Sequence, residues 1–147
     1  MKTPRNTIAL VATARGMANA FLRRELRRAG LSGLSPSHGN IVHALMEYGE
    51  MPMGGLAENI RRDKSTVTTL VAKLERLGYV KRRASAADSR LSVVALTRKG
   101  RGLRQVFQDI SEKMFAVALD GVDDAEADAL GAALGKIIAN FSRHGGV

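Results

Sequence analysis

The sequence predicts a mainly α-helical fold with one small β-hairpin, and two patterns carry that prediction. Apolar residues recur at spacings of three and four along most of the chain, which is the period of amphipathic helices. After Gly78 the pattern changes, because "YVKRR" and "LSVVAL" are β-rich runs separated by the polar stretch "ASAADSR". At 147 residues and 45% apolar content, the chain has the size of one compact domain.

Residues that begin and end helices place the first three elements. A first helix is expected from about residue 7 to 28, and it ends at the glycine- and proline-containing stretch "AGLSGLSP". Ser35 is expected to cap a second helix, with Pro36 at its first position. A short third helix is expected from about residue 55 to 60.

The stretch "DKSTVTTLVAKLERLGYV", residues 63–80, predicts a fourth helix with two distinct faces. Asp63 is the expected N-cap, and Gly78 is expected to end the helix in the left-handed conformation. One stripe is apolar and consists of Val67, Leu70, Val71, Leu74 and Leu77. The opposite face carries hydroxyls and cations, namely Ser65, Thr66, Thr68, Thr69, Lys73 and Arg76.

Two further helices are expected after the hairpin. Thr97 is expected to cap one long helix that ends near residue 120. Asp123 and Glu126 have the spacing of a capping box and are expected to open the last helix. Gly131 and Gly135 lie on that helix, where they are expected to allow close helix packing.

The positive charge of the chain is concentrated in its middle. The net charge is +9, but residues 61–104 hold 13 Lys and Arg against 3 Asp and Glu, a balance of +10. Residues 105–147 hold 3 against 7, a balance of −4. A basic segment of this density attracts polyanions, so nucleic acid is the first expected partner and an anionic membrane surface the second.

Composition excludes several classes of site. The absence of cysteine excludes disulfides, thiolate metal sites and thiol redox sensing. His38 and His43 are five residues apart, unlike the spacing of four of a helical zinc pair, so structural roles are expected for them. We find no sequence pattern of a nucleophile with its base or of a glycine-rich phosphate loop, so we expect neither an enzyme nor a bound metal or cofactor.

The N-terminal sequence and the hydropathy pattern indicate where in the cell the protein is located. Lys2 and Arg5 precede "TIALVATA", which loosely resembles a signal peptide, but the apolar spacing that follows favours an amphipathic helix. No apolar run reaches the length that spans a bilayer. We therefore expect a cytoplasmic protein, with nucleic acid rather than a membrane as its polyanionic partner.

The order of the elements is that of a winged helix-turn-helix. In that fold the second helix of the motif buries one stripe and presents its outer face to the major groove of DNA. An ordinary solvated helix face is the alternative for this helix taken alone. The hairpin favours DNA, because Arg82 and Arg83 lie on one strand and Arg90 lies at the tip, where an arginine could enter a minor groove.

Four blocks of sequence, "LSPSHGNIVHAL", "LAENIRRDKSTVTTLVAKLERLGYVKRR", "DSR" and "VVALTRKG", resemble successive blocks of the MarR family of transcription regulators. The resemblance covers about residues 34–103. It implies a homodimer whose two winged helix-turn-helix lobes bind a pseudo-palindromic operator. The implied organisation is residues 1–34 and 101–147 as dimerisation helices, residues 35–100 as the DNA-binding domain, about 63–77 as the recognition helix and about 79–96 as the wing.

Carried over by position, the resemblance implies roles for particular residues. The motif "ST-x-T" opens the recognition helix, "D-x-R" holds the arginine of the wing tip, and "LT-x-x-G" (Leu96, Thr97, Gly100) joins the wing to the next helix. The expected DNA-binding residues are Arg61, Arg62, Lys64, Ser65, Thr66, Thr68, Thr69, Lys73, Arg76, Arg82, Arg83, Asp88 and Arg90.

Three positions depart from the family pattern. Thr69 stands where many members have an arginine that contacts a base, so the operator preference of other members does not transfer to this chain. Ser89 replaces a cation at the wing tip. Arg62 occupies a turn position that is often apolar, and we interpret it with Arg61 as a phosphate clamp, a solvated turn being the alternative.

The functional hypothesis is a homodimeric, sequence-specific DNA-binding transcriptional regulator, a repressor rather than an activator. The family also implies release from DNA by a small aromatic or anionic effector, for which the candidate contacts are Arg15, His38, His43 and Met46. One alternative is a nucleic-acid-binding accessory protein that binds DNA or RNA without sequence preference. Another is a protein-interaction adaptor, which the basic segment disfavours.

Overall fold

The computed structural model describes residues 6–145, which form seven helices and one two-stranded antiparallel sheet. Lys2, Arg5 and the other residues of 1–5 and 146–147 lie outside the described residues, and with them the outer ends of the two expected dimerisation segments. The elements are α1 Thr7–Arg28, α2 Pro36–Tyr48, α3 Met53–Ile60, α4 Lys64–Arg76, β1 Val80–Ala84, β2 Ser92–Leu96, α5 Arg98–Arg101, α6 Arg104–Ala118 and α7 Asp124–Gly145. The mainly helical fold with a hairpin is confirmed.

The chain divides after residue 112 into two compact units. The first unit has a hydrophobic core built mainly from α2, α3, α4 and the hairpin, to which α1 adds Leu26 and α6 adds Ile110. Its fully buried side chains are Ile41, Val42, Leu56, Val67, Val71, Leu74, Val80 and Val94. The apolar stripe predicted for α4 is therefore confirmed as its buried side, with Leu70 and Leu77 partly buried against the same core.

The predicted caps explain where the helices of the first unit begin and end. Ser35 caps α2, and the side chain of His38 completes a capping box by accepting the Ser35 backbone N–H at Nδ1, 2.9 Å away. Asp63 caps α4 as expected. Gly78 follows α4 with a φ of 81°, a left-handed conformation that glycine adopts without steric cost.

The hairpin is fastened to the helix-turn-helix by a third backbone segment. Within the hairpin, Val80 pairs with Leu96 and Arg82 with Val94. Met51, in the connection between α2 and α3, forms an isolated bridge to Val94. Each backbone N–H donates to the other's carbonyl, at 3.0 Å and 2.8 Å. Strand β2 is therefore joined by backbone hydrogen bonds to the connection that precedes α3.

The single long helix predicted after Thr97 is interrupted. Thr97 accepts the Gly100 N–H at 3.1 Å and caps only the four-residue α5. The N–H of Leu103 then donates to the carbonyl of Gly100, three residues back, at 3.1 Å. Since a hydrogen bond to the third preceding residue tightens the turn, α6 begins as a separate helix at Arg104.

The start of α3 was predicted at about residue 55, two residues later than its start at Met53 in the structure.

The second unit contains the end of α6 and all of α7. The predicted capping box opens α7, because the Glu126 N–H donates to Asp123 at 2.8 Å and the Asp123 N–H donates to Glu126 at 3.0 Å. No residue of α7 is buried, although the helix has 22 residues. Its exposed large apolar side chains are Leu130, Ile138 and Phe141. Within residues 6–145 we find no helix whose length and apolar character would let it cross a membrane.

The contact between Gly100 and the turn after α4 gives a stability prediction. A Cβ at Gly100 would lie 2.0 Å from the Tyr79 carbonyl oxygen, closer than two such atoms can approach. Gly100→Ala should therefore lower the free energy of unfolding by about 2 kcal/mol or more, as overpacking does. Urea unfolding followed by circular dichroism measures the effect.

Gly54→Ala is the matched control. Gly54 lies in α3, and an added Cβ there meets nothing within 4 Å. Because alanine favours a helix over glycine by up to about 1 kcal/mol, this variant should be as stable as the parent or more stable. Equal stability of Gly100→Ala and the parent would contradict the tight contact.

Candidate nucleic-acid interface

The outer face of α4 carries most of the polar residues that the sequence assigned to it. Lys64, Ser65, Thr68, Thr69 and Arg76 are exposed. Two others, Thr66 and Lys73, are only partly exposed, so the polar face is narrower than predicted. This difference arises because a helix has 3.6 residues per turn and a wide apolar stripe leaves boundary positions half covered.

Asp63 organises the first turn of α4. Its Oδ1 accepts the Thr66 N–H and the Ser65 hydroxyl, both at 2.8 Å, and its Oδ2 accepts the Thr66 hydroxyl at 2.9 Å. These hydrogen bonds, led by the one from the Thr66 backbone, lower the pKa of Asp63 from 3.8 to about 2. The carboxylate is therefore ionised at neutral pH and holds two hydroxyls of the polar face.

The next two hydroxyls of the same face bond to the helix backbone. The Thr68 hydroxyl donates to the Lys64 carbonyl at 2.8 Å, and the Thr69 hydroxyl donates to the Ser65 carbonyl at 3.2 Å. Both bonds reach back four residues, a common arrangement for threonine in a helix. The orientation of each threonine side chain is thereby fixed before any partner arrives.

The turn between α3 and α4 contains the two arginines interpreted as a phosphate clamp. Arg61 has a φ of 54° and is the only non-glycine residue with a positive φ among residues 6–145. The guanidinium of Arg62 donates to the Ser37 hydroxyl, in the first turn of α2, at 3.1 Å. Both arginines are exposed. The unusual backbone at Arg61 ends α3 and lets the chain turn directly into α4.

The wing tip is built around a bidentate ion pair. Arg90 donates from Nε and Nη2 to the two carboxylate oxygens of Asp88, each at 3.0 Å, and its backbone N–H donates to the same carboxylate at 3.1 Å. The pairing implied by the family resemblance is present. It lowers the pKa of Asp88 and raises that of Arg90. The Arg90 side chain remains 87% exposed, so it is held in place and still accessible.

Glu50, in the connection between α2 and α3, holds the wing and was missed by sequence reasoning. Its Oε2 accepts two hydrogen bonds from Arg83, at 3.0 Å and 2.7 Å, and its Oε1 accepts the Ala86 N–H at 3.1 Å. The Ala86 bond and then the Arg83 bond lower the pKa of Glu50. The sequence offered one signal for this contact. A single acidic residue lies between two predicted helices, and a predicted strand further along the chain carries three consecutive cations with which it could pair.

The Glu50 contact changes the interpretation of Arg83. Successive side chains of a strand point to opposite faces, so Arg82 and Arg83 cannot both face the same surface. Both arginines are exposed, but Arg83 is paired with the Glu50 carboxylate. Among the two, Arg82 is therefore the better candidate for a phosphate contact, and Arg83 holds the wing against the connection between α2 and α3.

The four residues named for an effector have different environments. His38 is buried in the α2 cap, and burial and then the charge of Lys73 lower its pKa. His43 is exposed, 3.5 Å from Glu47. Met46 is partly buried against the core, and Arg15 is exposed on α1. No three His, Asp or Glu side chains within residues 6–145 cluster as metal ligands.

Comparison with known proteins shows which family the chain resembles. A model described as "MarR family" matches residues 32–91, from the start of the helix-turn-helix to the wing tip. The transcriptional regulator SarZ of Staphylococcus epidermidis is 31% identical over 75 residues, which are 51% of this chain and 51% of that protein. A solved structure of the transcriptional regulator PA4135 is 26% identical with a TM-score of 0.75, covering 93% of this chain and 98% of that one. These matches support the MarR family as the family of the winged helix-turn-helix region, residues 32–91.

A second solved structure supports the fold of this chain. It is a MarR variant from E. coli complexed with operator DNA, 17% identical with a TM-score of 0.79, and it covers 92% of this chain and 99% of that one. The winged helix-turn-helix expected from the sequence is thus confirmed as the fold. The matched region spans about half the length of SarZ and of the other curated relatives.

The Asp63 hydrogen bonds predict a pH-dependent contribution to stability. Because the pKa of Asp63 is lowered on folding, its contribution is present above its ordinary value of 3.8 and is lost as the pH falls through about 2. Asp63→Ala should therefore unfold at lower urea concentration than the parent at neutral pH. The difference between the two midpoints should shrink steadily below pH 3.8.

Asp63→Asn is the control, because its amide oxygen still accepts hydrogen bonds but carries no charge. Its midpoint should lie between those of the other two proteins at neutral pH. A difference between parent and Asp63→Ala that stays constant down to pH 2 would contradict the charge-dependent cap.

Proposed function

We propose that this protein is a DNA-binding transcriptional regulator that inserts α4 into the major groove and the wing tip into the adjacent minor groove. The proposal rests on one observation, which is that the same basic segment contains two elements that are both exposed and ordered. These are the hydroxyl-and-cation face of α4 and the Arg90 guanidinium held by Asp88. A helix of this kind fits the major groove, and an arginine fits a narrow minor groove.

The distribution of charge supports contact with the phosphate backbone. Lys64, Arg76 and Arg82 are exposed on or beside the proposed surface, and Arg61 and Arg62 are exposed in the turn before α4. Lysine and arginine side chains that neutralise phosphates release counterions, so affinity falls with salt at a log-log slope of about −0.9 per phosphate. The contacts to phosphate would position the protein, and the outer face of α4 would provide the sequence preference.

We also propose that the protein binds DNA as a homodimer. Exposed apolar side chains are concentrated on the helices outside the winged domain, and they include Ile8, Leu10, Met17, Phe115, Val117 and Phe141. Exposed apolar surfaces of this extent usually mark protein interfaces. A two-fold dimer would place two α4 helices about one helical turn apart on DNA, roughly 10 bp centre to centre.

Repression and release by a small effector remain predictions that follow from the family resemblance, and a cytoplasmic location remains a prediction from the hydropathy pattern. The effector prediction is the least specific of them. Of its four candidate residues, His38 is committed to the α2 cap, whereas Arg15 and His43 are exposed and accessible to a ligand.

A binding selection on random duplex DNA at moderate salt tests the proposed function. The enriched sequence is then titrated against a scrambled duplex of the same composition. We expect an inverted repeat with half-sites about 10 bp apart, bound far more tightly than the scramble. Equal, salt-dependent binding to every duplex would instead support the alternative, an accessory protein that binds nucleic acid without sequence preference.

Arg90→Ala tests the wing. The variant should bind the enriched duplex about tenfold more weakly, and its salt slope should be smaller by about 2, because the dimer loses one ordered cation from each of its two wings. Arg143→Ala is the matched control, since it removes the same charge from α7 rather than from the wing. Equal affinities of Arg90→Ala and Arg143→Ala for the duplex would contradict the assignment of the wing.

A further inference from the structure

Every side-chain hydroxyl in the first two turns of α4 already donates its proton within the protein. Ser65 and Thr66 donate to Asp63, and Thr68 and Thr69 donate to backbone carbonyls. A hydroxyl has a single proton to donate. The exposed remainder of these side chains therefore offers oxygen lone pairs and, on the threonines, a methyl group.

A shallow open depression lies on this face of α4. It is lined by Ser65, Thr66, Thr69 and Leu70 and has a volume of about 230 Å³. Leu70 is partly buried against the core and supplies an apolar surface to the depression. Thr69 is exposed at its edge. An apolar surface within an otherwise polar face is suited to an apolar group on a polar ligand.

The bases of B-DNA differ in what they present to such a depression. In the major groove guanine presents two acceptors, which require donors, whereas thymine presents a C5-methyl group. The hydroxyl protons near the depression are engaged elsewhere, so it is poorly suited to guanine. A methyl group, by contrast, would contact Leu70 and the Thr69 side chain without displacing a hydrogen bond.

We propose that this depression receives the C5-methyl group of a thymine, so that Thr69 and Leu70 determine a preference for thymine at one position of each half-site. The inference rests on the proposed insertion of α4 into the major groove. Lys73 and Arg76 lie further along the same helix, where their donors suit phosphate or guanine instead. The preference for thymine is therefore expected at the position facing the first two turns of α4.

Deoxyuridine substitution tests the contact directly, because deoxyuridine differs from thymidine only by the missing methyl group. Each thymine of the duplex enriched by the selection is replaced in turn, symmetrically in both half-sites. We expect one position at which affinity falls about fourfold for each half-site, the factor that corresponds to burial of one methyl group. The other positions should show smaller changes.

Two variants of Thr69 connect that position to the depression. Thr69→Ser removes the methyl and keeps the hydroxyl, whereas Thr69→Val keeps a methyl and removes the hydroxyl. Thr69→Val should retain the discrimination between thymine and deoxyuridine, and Thr69→Ser should reduce it. Thr13→Ser is the matched control, because the Thr13 hydroxyl donates in the same way to a carbonyl four residues back, that of Ala9 at 2.9 Å, but lies on α1 outside the DNA-binding residues, so its discrimination should equal that of the parent.

The outcomes separate this inference from the function on which it rests. If an inverted repeat is enriched but no deoxyuridine substitution weakens binding, the thymine contact is wrong and the proposed function stands. Loss of discrimination in Thr69→Val with retention in Thr69→Ser would also overturn the inference, because it would show that the hydroxyl makes the contact. If the selection enriches no sequence, the proposed function itself fails.

Discussion

Burial of the apolar stripe of α4 is the constraint on which the rest of the interface depends. Val67, Val71 and Leu74 are completely buried, and each such side chain contributes roughly 1.5–3 kcal/mol to folding. Because the helix has 3.6 residues per turn, fixing this stripe also fixes which residues face solvent. The polar face is therefore positioned by the core, and a substitution that rotated α4 to expose Thr66 or Lys73 more fully would have to pull the stripe out of the core.

The position of the wing relative to α4 depends on attachments at both of its ends. At one end, Met51 pairs with Val94 and Glu50 binds Arg83 and the backbone of Ala86. At the other end, the Thr97 hydroxyl donates to the Gly78 carbonyl. Lys99 donates to the Leu77 carbonyl at 2.7 Å and lies over the Tyr79 ring. These contacts join the wing to the connection before α3 and to the turn after α4, so the two elements proposed to contact DNA are attached to the same part of the fold.

Acidic residues that contact the basic segment orient its cations and hydroxyls rather than merely reducing its charge. Asp63 fixes hydroxyls at the start of α4, Asp88 fixes Arg90, and Glu50 fixes Arg83. Each carboxylate has a lowered pKa because it accepts hydrogen bonds in its ionised form. Such ordering reduces the conformational entropy that a flexible side chain would lose on binding. The same hydrogen bonds determine whether a side chain presents a donor, an acceptor or a methyl group to its partner.

The sequence by itself determined the elements, the caps and the buried stripe of α4, because these depend on local spacing and on turn residues. It also determined the basic segment and, through ordered motifs, the family. Only the tertiary structure decided what joins residues distant along the chain, such as Glu50 with Arg83 and Ala86, which are 33 and 36 residues apart. Sequence spacing carries no information about such contacts until folding brings the segments together. For the same reason the narrower polar face of α4, the break at Gly102 and the depression beside Leu70 became visible only in the folded protein.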